Sequence, residues 1–125
     1  MGITIVGLGP GDGRYLTRQA WELLSSAENV YLRTGRHPAV ADLPPHVHQH
    51  TFDYIYETAD NFEEVYSSIV QVLLRLGREA AESGKTVCYA VPGNPNVGEA
   101  TVPALIMAAQ EEGLPVTIVP GISFI

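Results

Sequence analysis

A chain of 125 residues is long enough for one hydrophobic core and no more. Apolar residues make up 46% and charged residues 17%, with a mean hydropathy of +0.08, a globular composition rather than a disordered one. Fourteen acidic against seven basic residues give a net charge of −7, which argues against holding a nucleic-acid backbone through counterion release but leaves room for a local anion site built from backbone N–H groups.

Residues 3–6 are apolar and β-branched and stop at Gly7, which predicts a buried strand. The run 3–8 has no basic lead and is too short for a signal or a membrane span, and position 6 is Val where myristoylation needs Ser or Thr. A cytoplasmic protein is expected, with no membrane partner. Gly7-Leu8-Gly9-Pro10-Gly11-Asp12-Gly13 holds four glycines and a proline in seven residues and reads as a loop. Thr17 is placed to cap a helix over 18–27, where Ala20, Leu23, Leu24 and Ala27 fall at helical spacing.

Asn29–Leu32 is a second strand, 37–43 a short helical turn stopped by Pro44-Pro45, and 46–52 a weakly alternating third strand. From 61 to 83 the apolar set Phe62, Val65, Tyr66, Ile69, Val70, Val72, Leu73 and Leu76 repeats at three and four, a long amphipathic helix closing on Gly84. Thr86–Val91 is a fourth strand and carries Cys88, the single cysteine, which has no disulfide partner and reads as a small core residue. Residues 92–98 form a second loop, 100–112 a helix ended by Gly113, and 115–119 a fifth strand. Strands alternating with helices predict an α/β fold, three layers α/β/α around a mainly parallel five-stranded sheet. Pro120-Gly121-Ile122-Ser123-Phe124-Ile125 is then a loop with apolar residues and no following helix, an end that reads as cut.

In an open parallel sheet, ligands bind beyond the carboxyl ends of the strands. The loops 7–13, 92–98 and 120–124 all leave such ends, and their glycines and prolines allow close backbone approach on a stiff frame. A dinucleotide site is not expected, because the third glycine of the fingerprint is Asp12 and the ribose-binding acid is replaced by Arg33. Gly84-Lys85-Thr86 imitates a P-loop but lacks the earlier glycine, where Glu79 stands, and precedes a strand. His46, His48 and His50 share one face of the third strand as surface residues rather than a zinc site, and Glu63-Glu64 suit a helix start. No metal is expected.

The motifs resemble a family. Gly7-Leu8-Gly9-Pro10-Gly11-Asp12, followed by Leu16-Thr17 and a helix, resembles the N-terminus of the tetrapyrrole methylases. These are S-adenosylmethionine-dependent enzymes that include uroporphyrinogen-III and cobalamin-precursor methyltransferases, with diphthine synthase a relative. Pro92-Gly93-Asn94-Pro95 is similar to the family's Gly-Asp-Pro loop, and Pro120-Gly121-Ile122-Ser123 to its loop after the fifth strand, so the likeness runs along the whole chain. Tyr31-Leu32-Arg33-Thr34 and Tyr89-Ala90-Val91-Pro92-Gly93 resemble the branch in which a methylase-like domain precedes a MazG-type nucleotide pyrophosphohydrolase domain.

The resemblance implies that 1–125 is the first of two subdomains, with S-adenosylmethionine folded into the cleft between them, a small-molecule acceptor and a homodimer. Carried over by position, Pro10, Pro92, Gly93, Asn94, Val97, Ser123 and Phe124 would line the cofactor site. The chain departs from the family pattern at Asn94, where the loop acid stands, at Phe124, where a small residue is usual, and at Arg33, where uroporphyrinogen methylases place a proton-accepting acid. Their downstream lysine has no counterpart in 52–56.

The function so implied is in-line methyl transfer from S-adenosylmethionine to a tetrapyrrole-like or other small acceptor. Asp12 and Arg33 are the candidate catalytic residues: Asp12 positions substrate or stabilises an Asx turn, and Arg33 binds a substrate carboxylate or forms a surface ion pair. The alternative, favoured by Arg33 and Asn94, is a non-catalytic sensing or dimerisation module of a MazG-type nucleoside triphosphate pyrophosphohydrolase. Nucleotide hydrolysis by 1–125 itself is not expected, because Glu63-Glu64 is not followed by acids at metal-binding spacing.

Overall fold

The fold is that of a computed structural model, which describes residues 2–123, so Phe124 lies outside the described residues. Five strands, β1 (Gly2–Gly7), β2 (Asn29–Leu32), β3 (His48–Thr51), β4 (Thr86–Val91) and β5 (Val116–Val119), form one sheet in the order β3-β2-β4-β1-β5. Every pairing is parallel. β1 and β4 are central and almost wholly buried, which is why both read as unbroken apolar runs: helices cover both faces of the sheet.

Side chains alternate between two cores. Ile3 and Ile5 of β1 and Tyr89 and Val91 of β4 pack with Ile69 and Leu73 of α3 (Phe62–Glu82) and Leu105 of α4 (Thr101–Glu111). Val6, Val30, Leu32 and Ala90 point the other way, onto Ala20 and Leu24 of α1 (Arg18–Ser26). Each fully buried aliphatic side chain of this kind stabilises the fold by about 1.5–3 kcal/mol relative to exposure.

The helix starts follow from capping chemistry. Thr17 Oγ1 accepts the Ala20 N–H at 3.1 Å and begins α1. Asn61 Oδ1 accepts the Glu64 N–H at 2.9 Å while Glu64 accepts the Asp60 N–H at 3.2 Å, a reciprocal cap that accounts for the acids at the head of α3. Beyond α3, Gly84 adopts φ +68°, a left-handed stop that favours glycine.

Two local readings are corrected. The third strand is shorter than 46–52, because Phe52 turns inward against the Tyr89 ring, 6.0 Å between centroids, and leads into a helix, α2 (Asp53–Thr58). That helix buries only Ile55, too little to leave a periodic signal. The short helical turn expected over 37–43 is present as a 3₁₀ turn, Pro38–Asp42, capped by the His37 side chain. The three histidines do not share a strand: His46 precedes β3 and donates to the Ser25 carbonyl, while His50 bonds Asn29 Oδ1 and stacks on Tyr31. No group of three His, Cys, Asp or Glu residues able to hold a metal occurs among the described residues, and none of their helices is long and apolar enough to cross a membrane. Cys88 is a core residue, 4% exposed, its thiol pushed up to about 12 by burial.

Candidate functional site

The three glycine-rich loops meet at the carboxyl ends of β1, β4 and β5. Leu8 N–H donates to the Val91 carbonyl at 2.8 Å, and Gly9 and Gly93 exchange two backbone hydrogen bonds at 3.1 and 3.0 Å, an antiparallel bridge just past the parallel sheet. Both glycines have positive φ, +76° and +65°, a conformation most side chains resist. The third loop closes on the same point. A Cβ on Gly121 would lie 2.9 Å from the Cα of Gly7 and closer still to the Gly93 carbonyl oxygen, and one on Gly7 would lie 2.7 Å from the Gly121 nitrogen. Gly7 and Gly121 are therefore required for loop-to-loop contact, and Gly93 for its left-handed backbone. Close approach to a ligand, the reason expected from sequence, is not what their packing shows.

Side chains reinforce the junction. Asn94 Nδ2 donates to the Gly121 carbonyl at 2.9 Å and its Oδ1 accepts the Asn96 N–H at 2.9 Å, so both ends of Asn94 bond within the loops. His37 is buried under the first loop: its Nδ1 accepts the Ala39 N–H at 3.1 Å, and its Nε2 lies 2.9 Å from the Gly9 carbonyl. A backbone N–H can only donate and a carbonyl only accept, so the proton sits on Nε2. No sequence signal marked His37, because its partner Gly9 lies in another loop.

Asp12 stands at the tip of the first loop, where its carboxylate accepts from the Arg14 backbone N–H at 3.0 Å and from the Arg14 guanidinium at 3.1 and 2.9 Å. The Arg14 side chain, and then its backbone N–H, hold the Asp12 carboxyl below the usual range. Of its two expected roles the structure displays the Asx turn, capping the 3₁₀ turn Gly13–Tyr15. Pro10 and Val97 are exposed, Gly93 is buried, and Pro92 and Ser123 are half-buried on the rim.

Arg33 follows β2 and is not a surface pair. Its Nε lies 3.0 Å from Glu99 Oε2, its Nη1 donates to the Tyr56 hydroxyl at 3.2 Å, and Glu99 is buried. Behind it, the Thr101 hydroxyl donates to Glu99 Oε1 at 2.9 Å and accepts from the Tyr89 hydroxyl at 2.8 Å. Burial works against the Arg33 charge, but Glu99 and then Tyr56 outweigh it and hold the guanidinium above its already high range. Burial likewise drives the Tyr89 phenol far upward, so it keeps the proton it donates. Glu99 and Tyr56 were missed in the sequence because neither belongs to a motif.

None of the three loops carries a lysine or arginine. Their chemistry of backbone groups, one amide, prolines and exposed Val97 and Ile122 fits a ligand with apolar parts and no phosphate chain. This edge lies beyond the carboxyl ends of a doubly covered parallel sheet, where such sheets bind ligands. Residues 2–125 match the tetrapyrrole (corrin/porphyrin) methylases, and the chain belongs to that family. Over 124 residues it is 40% identical to the uncharacterised protein YabN of Bacillus subtilis (strain 168), covering 98% of this chain and 24% of YabN. The fold superposes on the native uroporphyrin III C-methyltransferase of Thermus thermophilus with a TM-score of 0.70 at 26% identity, covering 97% of this chain and 48% of the enzyme. A Thermus thermophilus uroporphyrin-III C-methyltransferase complexed with S-adenyl homocysteine gives a TM-score of 0.66 at 26% identity, covering 98% and 46%. The chain thus spans about a quarter of YabN and about half of the Thermus enzymes.

Proposed function

We propose that this chain is the first subdomain of an S-adenosylmethionine-dependent methyltransferase acting on a tetrapyrrole-like or other small acceptor, as a cytoplasmic homodimer. The observation that carries the reading is the junction of Gly7, Gly93 and Gly121, which brings three strand-end loops without a single cation onto one edge. That chemistry suits a cationic sulfonium with an apolar body better than a polyphosphate. Pro10, Pro92, Gly93, Asn94, Val97 and Ser123 would hold the cofactor, with a second wall from a following subdomain. When bound, the cofactor supplies a methyl group for in-line transfer to an electron-rich atom of the acceptor.

The chain's own contribution is alignment and exclusion of water. The Gly9–Gly93 bridge and the Asn94 clamp hold the loops at one spacing, and His37 secures the first loop from beneath. Titration calorimetry of the full-length protein with S-adenosylhomocysteine tests the reading: a saturable one-site heat is expected, and no heat at high ligand concentration overturns it. A second reading is a non-catalytic sensing or dimerisation module of a MazG-type pyrophosphohydrolase. It is favoured by Asn94, whose amide replaces an acid and bonds its own loops, and it gains if that titration is silent.

A further inference from the structure

We propose that His37 is a positioning residue for the loop 7–13, effective only while its imidazole is neutral, so that cofactor affinity falls when the ring is protonated. The inference rests on the methyltransferase reading above and adds how the first loop of that site is held. The Gly9 carbonyl is the shared acceptor of the junction: it takes the Gly93 N–H at 3.0 Å and His37 Nε2 at 2.9 Å. A carbonyl oxygen has two lone pairs, and both are used. Gly9 has no slack, since a Cβ there would lie 2.6 Å from the Tyr15 carbonyl oxygen. His37 sits beneath this point, 8% exposed, with its Nδ1 accepting the Ala39 N–H at 3.1 Å. The 3₁₀ turn that follows, Pro38–Asp42, returns to the same loop at its far end, where Asp42 Oδ2 accepts the Gly13 N–H at 2.8 Å. The turn is a brace under 7–13, tied at both ends.

Both His37 bonds require one tautomer. Protonation puts a hydrogen on Nδ1, facing the Ala39 N–H, and two donors cannot share that contact. The buried ring then leaves either the turn or Gly9, and in both cases the brace parts from the loop. The charged groups on the surrounding elements are committed elsewhere. Asp12 and Arg14 bond each other, Arg18 bonds Glu22, Arg33 faces Glu99, Arg36 bonds Glu57, and Asp42 takes the Gly13 N–H. Loops 92–98 and 120–123, which meet the first loop at the junction, carry no charged residue ahead of Glu99.

The test is S-adenosylhomocysteine affinity of the full-length protein, by titration calorimetry from about pH 8 to about pH 5, a range that titrates imidazoles and leaves most carboxylates charged. Amide hydrogen exchange of 7–13, corrected for its intrinsic pH dependence, is followed alongside. Wild-type affinity is expected to fall about tenfold or more toward the acid end, and protection of 7–13 with it, while protection of 62–82 stays level. His37→Gln keeps a donor near the reach of Nε2 and does not titrate, so its affinity is expected within about threefold of wild type at the alkaline end and level below it. His37→Asn keeps an acceptor for the Ala39 N–H but falls short of Gly9, and is expected to bind about tenfold more weakly with no slope. A level wild-type affinity, the wild-type slope in His37→Gln, or wild-type affinity in His37→Asn overturns the proposal alone. Where neither variant folds, the wild-type exchange profile decides: a fall confined to 7–13 supports the proposal and level protection overturns it. A titration silent at every pH overturns the methyltransferase reading and, with it, the cofactor role of the loop, whatever the exchange shows.

Discussion

Asp53 shows how one carboxylate can organise the turn after β2. It accepts the Thr34 hydroxyl at 2.6 Å and the Gly35 N–H at 2.9 Å, and it begins α2. Partial burial raises its pKa, but the bonds from Thr34 and Gly35, with Arg36 nearby, outweigh burial and hold it below the ordinary range. A carboxyl with a depressed folded-state pKa binds its proton more weakly than in the unfolded chain. Its contribution is therefore present above the unfolded value of about 3.9 and is lost as pH falls through the lower folded value. Asp53→Asn is expected to lower stability by about 1 kcal/mol at pH 7 and to flatten the acid limb, so that the two proteins converge as pH falls through the depressed folded value. Urea unfolding across that range checks it, and parallel curves would remove Asp53 from the account. At this scale Arg33 and Asp12 could be singled out from sequence as polar groups beside the loops. Their partners could not, because Glu99 and Arg33 belong to different loops and meet only when β2 and β4 pair.

Loops and elements share the second lesson. The glycines at 7, 93 and 121 stand out in sequence as turn residues, but the physical demand on Gly7 and Gly121 is space between loops. Gly98 is a contrast: its φ is +64°, yet a Cβ there would meet nothing within 4 Å. Gly121→Ala is expected to cost about 2–3 kcal/mol through forced separation of three backbones. Gly98→Ala should cost about 1 kcal/mol, from its left-handed backbone alone. Thermal melts of the two variants check the ranking, and equal losses would mean that the junction yields easily. The long elements were legible because capping and period agree: Thr17 caps the helix its position predicts, and Asn61, where the second long period begins, caps that helix. α2 was not, because six residues with one buried side chain carry no periodic signal.

For the molecule as a whole, the excess of acids is spread over a surface whose ion pairs, such as Arg18–Glu22 and Arg36–Glu57, are highly exposed and contribute little. Self-repulsion then outweighs them, and screening should stabilise the fold. Raising sodium chloride from 0.05 to 0.5 M is expected to raise the melting temperature by about 2–5 °C, equivalent to about 0.5–1 kcal/mol in a domain of this size. A fall would mean that the exposed pairs dominate. The sequence by itself determined the α/β class, the order of the strands and long helices, the family and the three loops, because apolar period, caps and glycine–proline punctuation are local properties of the chain. Only the tertiary structure decided that the sheet runs β3-β2-β4-β1-β5. That order makes neighbours of segments far apart in sequence: Gly9 with Gly93 and His37, Asn94 with Gly121, and Arg33 with Glu99. Which residues meet across such distances depends on strand pairing and burial of the two faces, and neither is written in any single stretch of residues.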